Sequence, residues 1–499
     1  MLIRFFNSLG RKKEVFEPLE KDRVKIYSCG PTVYASPHIG NFRAFIFADL
    51  LRRSLEFLGF TVESVMNITD VGHLVSDSDS GEDKLEKGAA REGISPLAIA
   101  RKYEKEFLDD LEKLNIEKPT YLPRASEHIA EQIELIKKLE KKGFTYETSD
   151  GIYFDTSKFE NYGALSGQKI EDKEAGARVA VKSEKRNPAD FALWKFCVGE
   201  NENHILCWNF ETGKQLSDKN LRSETETRKA KIGFPGWHIE CSAMSMKYLG
   251  ATFDIHTGGV DHIPVHHENE IAQSEAATDQ RFVNFWLHNE FLTIDGGKMS
   301  KSLGNLFTIE DIKAKGIDPL AFRLFCFGTH YRQKLNFTWE ALSSANNRLK
   351  RMRNDFAKKI GADTSQIFEI TKNKSFETDL GNLARTYKLD FSSAISDDLN
   401  TPRALAILEE VLFGEGISQD EQRRLVREFD KVLGLNLDQP VVEEKIEPNQ
   451  EQQKLLAERA AARAEKDFAK SDEIRAKFAE MGLEIEDAKS GKQIVKKKN

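Results

Sequence analysis

Residues Arg23 to Asp70 read RVKIYSCGPTVYASPHIGNFRAFIFADLLRRSLEFLGFTVESVMNITD, and the order of patterns within them decides the fold. VKIYSC is short and alternating, RAFIFADLLRRSLEFLG has helical periodicity and stops at Gly59, and FTVESVMNITD is rich in strand formers. Strand, turn, helix and strand in this order predict one βαβ unit with parallel pairing. A second set follows from Ala251 to Phe291, where ATFDIHTGG reads as strand and glycine turn, HENEIAQSEAAT as helix, and FVNFWLHNEFLTI as strand. The fold class is therefore α/β with a Rossmann-like parallel sheet.

Between the two sets lie helical stretches (Pro96 to Leu114, Ser126 to Lys142) and a polar, charge-mixed segment that reads as an insertion at about 120–232. Beyond Trp339 helical patterns dominate, with Asp398 or Asn400 placed to cap DDLNTPRALAILEEVLF. DQPVVEEKIEPNQEQQ has two prolines, much charge and no periodicity, so it reads as a linker. The expected organisation is an α/β domain over 1–335 carrying the insertion, an α-helical bundle over 336–437, a linker over 438–453 and a small C-terminal unit over 454–499.

Composition bounds the function. The 499 residues are 39% hydrophobic and 31% charged, which excludes a disordered or fibrous chain. No run of 18 apolar residues occurs and the N-terminus has no signal-peptide cleavage pattern, so no membrane partner and a cytoplasmic location are expected. Five scattered cysteines do not make a disulfide framework; thiols or metal ligands are expected. A net charge of -7 means that any nucleic-acid contact needs local basic patches.

Two segments carry phosphate chemistry. CGPTVYASPHIGN crosses a strand-to-helix turn, where backbone N–H groups and the helix dipole favour an anion, Gly40 admits close approach, and His38 can donate to a phosphate oxygen. Downstream, GGKMSKSLGN sets Lys298 and Lys301 on a glycine-flanked loop, where two ammonium groups can clamp a triphosphate. Each alone is weak, and a surface histidine or a solvated basic loop would explain it; the pair, HIGN with KMSKS, is specific.

With those motifs the chain resembles the class I aminoacyl-tRNA synthetases. PGWHIECSAM, DIHTGGVDH and HHENEIAQSEA, with CGPTVY at the start, resemble the cysteinyl-tRNA synthetase family in particular, over nearly the whole chain. The resemblance implies activation of L-cysteine by ATP with Mg2+ and transfer of the adenylate to the 3′ end of tRNA(Cys). It makes His38, Lys298 and Lys301 the catalytic groups, with Gly40, Asn41 and Asp261 joining them around ATP. It places Thr69, Trp237 and His256 around the amino acid and makes the terminal unit the anticodon reader.

The resemblance also implies one Zn2+ per chain held by Cys29, Cys241, His266 and Glu270. The residues permit this: His266 and Glu270 are spaced i, i+4 on a predicted helix, and two halves of a parallel sheet can bring the cysteines together. Thiolate over hydroxyl is a distinction that a borderline-soft cation makes well. Glu270 is expected to be the labile or distant ligand, yielding to a substrate sulfur or sharing a five-coordinate site with it.

Several features depart from the family pattern. Asn41 replaces the last histidine of HIGH, HIPV follows Asp261, and His73 has no assignable role. Cys197, His204 and Cys207 suggest a second metal, but without a fourth ligand nearby they read as incidental residues of a surface insertion. The helix Ala341 to Ile360 carries Arg348, Lys350, Arg351, Arg353, Lys358 and Lys359 against Asp355, a basic stripe suited to a phosphate backbone. Residues Lys454 to Asn499 hold twelve basic and nine acidic side chains. These regions favour a tRNA over a small amine as acceptor, and the complete motif set argues against a non-catalytic RNA-binding protein. A monomer is expected.

Overall fold

The computed structural model describes residues 2–72, 83–167, 184–216, 224–297, 299–300, 303–360, 380–439, 448–487 and 493–497. Strand β1 (Arg23–Ser28), helix α1 (Ile39–Phe57) and strand β2 (Thr61–Met66) form the expected unit, with β1 and β2 paired in parallel from Arg23↔Thr61 to Ser28↔Met66. Helix α2 (Lys84–Glu92) comes next. After the insertion, helix α3 (Trp237–Leu249) leads into strand β3 (Phe253–Gly259), helix α4 (His266–Thr278) and strand β4 (Val283–Asn289). The sheet order is β4-β3-β1-β2, all parallel. Val24, Ile26, Tyr27, Ile255 and Leu287 are buried, which is why the strands read as apolar runs. The strand order reverses between β1 and β3, and the crevice outside their carboxyl ends is where such sheets bind ligands.

The insertion is an antiparallel sheet of five strands in the order Thr145–Thr148, Gly151–Phe154, Phe191–Phe196, Ile232–Pro235 and Trp208–Asn209. Phe154, Leu193, Trp194, Phe196 and Phe234 fill its core. Its fourth strand runs past the expected boundary at 232, because Gly233 to Pro235 pair with Phe196 to Trp194. Cys197 and Cys207, expected as incidental surface cysteines, are instead buried and joined by a disulfide. The cause is the fold of the intervening loop, pinned by Cys197 N–H to Ile232 O at 2.9 Å and by Leu216 N–H to Cys207 O at 3.0 Å.

Helices Trp339–Ile360, Asn382–Ser396, Thr401–Phe413 and Gln419–Leu433 make the bundle, with Phe391 stacked on Phe429 at 3.9 Å. Asn400 is the cap of the third helix, accepting from Arg403 N–H at 3.2 Å. Asp398 serves the packing instead. Fully buried, it accepts from Phe6 N–H, the Tyr331 hydroxyl and Arg332. The basic stripe is partly consumed by packing. Arg353 is buried against Asp318 and the Leu435 and Asn436 carbonyls, and Arg348 pairs with Glu409 at 2.7 Å, which leaves fewer cations for an external phosphate.

The chain divides into two units, Met1–Leu437 and Asp438–Asn499. The second contains helices Gln450–Ala464 and Phe468–Glu480 and an antiparallel pair, Leu483–Asp487 with Gln493–Lys497. Its first helix begins inside the stretch read as linker, because Asn449 and Gln452 form a reciprocal cap. Ile474, Phe478, Leu483, Ile485 and Val495 form its core, and a buried Arg459 grips both oxygens of Asp487 at 2.8 and 2.9 Å.

Candidate active site and metal centre

The crevice at the ends of β1 and β3 is a cleft of about 820 Å³. Helix α1 enters it with His38 as its cap. The His38 ring accepts from Asn41 N–H at Nδ1, and Asn41 Oδ1 accepts from His38 N–H at 3.1 Å. A neutral imidazole that accepts at Nδ1 carries its proton on Nε2, the tautomer needed to donate to an anion. Asn41 is thus half of a reciprocal cap, which gives its departure from HIGH a local cause. A Cβ on Gly40 would lie 3.0 Å from the His38 ring and 3.3 Å from Met299 Sδ, so this glycine lets the second motif's loop close over the first. Met299 lines the cleft; Lys298, Lys301 and His73 lie outside the described residues.

The other end of the cleft gathers sulfur, nitrogen and oxygen donors. Cys29 follows β1 directly, Cys241 sits in the second turn of α3, and His266 and Glu270 share one face of α4. One donor atom from each of these four lies within 4.8 Å of the other three. Cys241, His266 and Glu270 are almost wholly buried and Cys29 is half-buried. His266 Nε2 is 3.0 Å from Glu270 Oε1, and His256 Nε2 is 3.0 Å from Glu270 Oε2. A second set, Cys29, His256, His267 and Glu270, meets the same distance criterion. Gly258 admits this crowding, since a Cβ there would meet His267 at 2.6 Å and His262 at 2.7 Å.

The charges are distributed to suit a cation. A hydrogen bond from Cys29 holds Cys241 at about 6, while burial pushes Cys29 up. Burial favours a neutral Glu270, yet His256 and His266 outweigh it and hold the carboxyl at about 2. Burial likewise disfavours a charged His266, but Glu270 and Cys241 lift it to about 10. Burial keeps His262 down at about 4 and pushes His267 and His288 well below the ordinary imidazole range. Two cysteines, an imidazole and a buried carboxylate are a donor set that fits a borderline-soft divalent ion, which takes the place of the His266 proton.

Thr69 and Trp237 line the cleft. Thr69 Oγ1 donates to Glu240 Oε2 at 2.9 Å and accepts from Asn67 Nδ2 at 3.0 Å; the Trp237 ring lies 4.3 Å from that of His266. Asp261 also lines it, on a turn that Gly259 permits. His256 is fully buried behind the thiol cluster, stacked on Trp286 at 4.5 Å, with its Nε2 turned toward Glu270 on α4. Glu270 has an imidazole against each of its oxygens. Sequence reasoning passed over His262, His267 and Glu240. The HH pair at 266 and 267 was a usable signal for His267, and the DH pair at 261 and 262 for His262; nothing local marks Glu240, whose partner Thr69 is remote in sequence.

Comparisons agree with this geometry. Residues 15–215 and 217–347 match the family described as tRNA synthetases class I (C) catalytic domain, and residues 449–494 match the cysteinyl-tRNA ligase anticodon binding domain. Cysteine-tRNA ligase of Treponema denticola is 45% identical, with 100% of both chains covered. Cysteine-tRNA ligase 1 of Burkholderia lata is 43% identical over 99% of this chain and 97% of its own. In fold, the chain is similar to an Agrobacterium radiobacter leucyl synthetase solved as a ternary complex with tRNA (TM-score 0.57, 11% identity, 85% of each chain). It is also similar to Mycobacterium tuberculosis methionyl-tRNA synthetase (TM-score 0.51, 14% identity, 83% and 90% covered).

Proposed function

The chain belongs to the cysteine-tRNA ligase family of the class I tRNA synthetases, and from that premise we propose that it activates L-cysteine with ATP in this cleft and transfers it to the 3′ end of tRNA(Cys). The observation that carries this reading is the meeting of a capped anion-binding helix end and a buried thiol cluster in one cavity.

Cys29, Cys241, His266 and Glu270 would hold Zn2+, which supplies, when bound, a preference for thiolate over neutral hydroxyl and so selects cysteine over serine. Trp237 and Thr69 wall the amino acid, and Glu240 fixes the Thr69 hydroxyl. The substrate carboxylate attacks the α-phosphorus of ATP, whose bond to pyrophosphate breaks. No side-chain nucleophile takes part. His38 Nε2–H, with Gly40 and Asn41 shaping the α1 N-terminus, stabilises the charge on the phosphoryl oxygens, while Asp261 faces the ribose. Lys298 and Lys301 neutralise the leaving pyrophosphate beside Mg2+. The bundle at 336–437 supports the tRNA and the unit at 454–499 reads the anticodon, joined by the 438–453 segment. The reading takes the chain as a monomer working in the cytoplasm. Among the described residues no helix is long and apolar enough to cross a membrane.

The test is cysteine-dependent ATP–pyrophosphate exchange run against serine, followed by charging of tRNA(Cys). Exchange specific to cysteine and lowered about 10²- to 10³-fold in Lys301→Ala is expected. Exchange without charging would point to a small-amine acceptor. No exchange by a folded, zinc-replete sample would sink the reading.

A further inference from the structure

Outside the cleft, one group of metal-capable side chains has no part in the reaction. Cys197, His204 and Cys207 belong to a single loop of the inserted sheet, all three are buried, and their donor atoms lie within 4.8 Å of one another. The cysteines form a disulfide, but a disulfide gives no account of the histidine. The His204 ring stacks on Phe234 at 3.9 Å and 12°. Its Nδ1 lies 3.1 Å from the Leu206 carbonyl oxygen, and its Nε2 lies 3.3 Å from Asp83 Oδ2. Both neighbours are acceptors. Glu86 Oε1 lies 3.6 Å from the same Nδ1, so oxygen atoms face both ring nitrogens.

A metal ion ligated at one ring nitrogen leaves the other free to donate. The ligated nitrogen needs no proton, and the other gives its single N–H to the acceptor it already faces, an arrangement that metal-ligating histidines ordinarily have. We propose that Cys197, Cys207 and His204 form a second metal site, which takes Zn2+ when the cysteines are reduced and is closed by the disulfide when they are oxidised. Two molecules of a thiol reductant break the S–S bond, leaving two protein thiols and one reductant disulfide; Zn2+ then displaces both thiol protons. The three protein donors leave the fourth tetrahedral position to water.

The site has a structural output. Asp83, the residue behind His204, is also the cap of α2, accepting from Leu85 and Glu86 N–H, and Ile205 N–H donates to Glu86. Helix α2 in turn brings Lys84 to the cleft wall. The loop and that wall are therefore held by one set of contacts.

Zinc content of the full-length chain by mass spectrometry tests the proposal, with peptide mapping under non-reducing conditions. Protein reduced with a thiol, loaded with Zn2+ and desalted should hold about one equivalent more than diamide-oxidised protein, in which the Cys197–Cys207 cross-link is found. The reduced double variant Cys197→Ser/Cys207→Ser, and His204→Gln alone, should each lose that same equivalent, while Cys241→Ser loses a different one. Because Cys29 and Cys241 can cross-link as well, the same pair of measurements on Cys241→Ser, which cannot form that bond, assigns the equivalent to the loop. Equal zinc in reduced and oxidised wild-type protein, a comparison that needs no substitution, would overturn it, as would full zinc retention by His204→Gln.

Discussion

The same unit builds two clusters of sulfur and imidazole by opposite means. In the cleft, Cys29, Cys241, His266 and Glu270 come from the end of one strand and from two helices, and nothing near either cysteine in sequence announces the others. In the insertion, Cys197, His204 and Cys207 come from one loop between two strands that flank Ile232–Pro235. The parallel sheet collects remote residues at its switch point, where chemistry on a substrate is possible. The loop collects neighbours and can only fasten itself to what lies beside it. One cluster is bound to the fold's function, the other to local order.

The largest expected effect tests that division directly. Cys241→Ala, with zinc supplied, should lower cysteine-dependent exchange about 10³-fold while leaving the unfolding midpoint nearly in place, since the change removes a ligand and little packing. Retention of a tenth of the activity would mean that the alternative donors Cys29, His256, His267 and Glu270 suffice, and the two clusters would differ less than their construction suggests. A smaller effect belongs to the loop. Asp83→Ala removes the α2 cap and the partner of His204 together, and should cost about 1–2 kcal/mol in denaturant unfolding. An unchanged midpoint would show that the loop fastens nothing.

The smallest effect lies in the C-terminal unit, where neither cluster is present. Arg459 holds the Asp487 carboxyl down at about 2 from an ordinary value near 3.8. A depressed carboxyl stabilises the fold above its unfolded pKa, so this contribution is complete above about pH 4 and is lost as pH falls toward 2. Asp487 is partly exposed, so the loss should stay below about 1 kcal/mol. Ellipticity of this unit followed through acid titration measures it, and Asp487→Asn should flatten the profile. A transition centred above about pH 5 would assign the stability to other groups.

The sheet was legible because its strands are apolar and its glycines mark the turns; β1, α1, β3 and α4 fall where periodicity places them. Residues with local partners were legible too, as with His38 and Asn41, which cap each other across three positions. What depends on the direction of a buried side chain was not. Periodicity puts His256 on a strand but does not say whether it faces the cleft or α4, and it does not reveal that Arg353 turns inward to Asp318. The pairing of Cys197 with Cys207 was hidden for a similar reason: the count of cysteines argued for free thiols, and only the course of the loop brings the two together.

Helix α1 has one further consequence. Its 19 residues span about 28 Å, with no proline and no glycine after Gly40. One end is the His38 cap. Near the other, Arg53 donates to the Lys431 carbonyl at 3.0 Å, buried Asp49 pairs with Arg323, which also donates to the Leu433 carbonyl, and Phe57 meets Phe391 edge to face. Such a rod acts as a lever with its tip at the cleft and its handle in the bundle. The handle therefore cannot shift without moving the tip, unless the helix bends or the Asp49–Arg323 joint breaks.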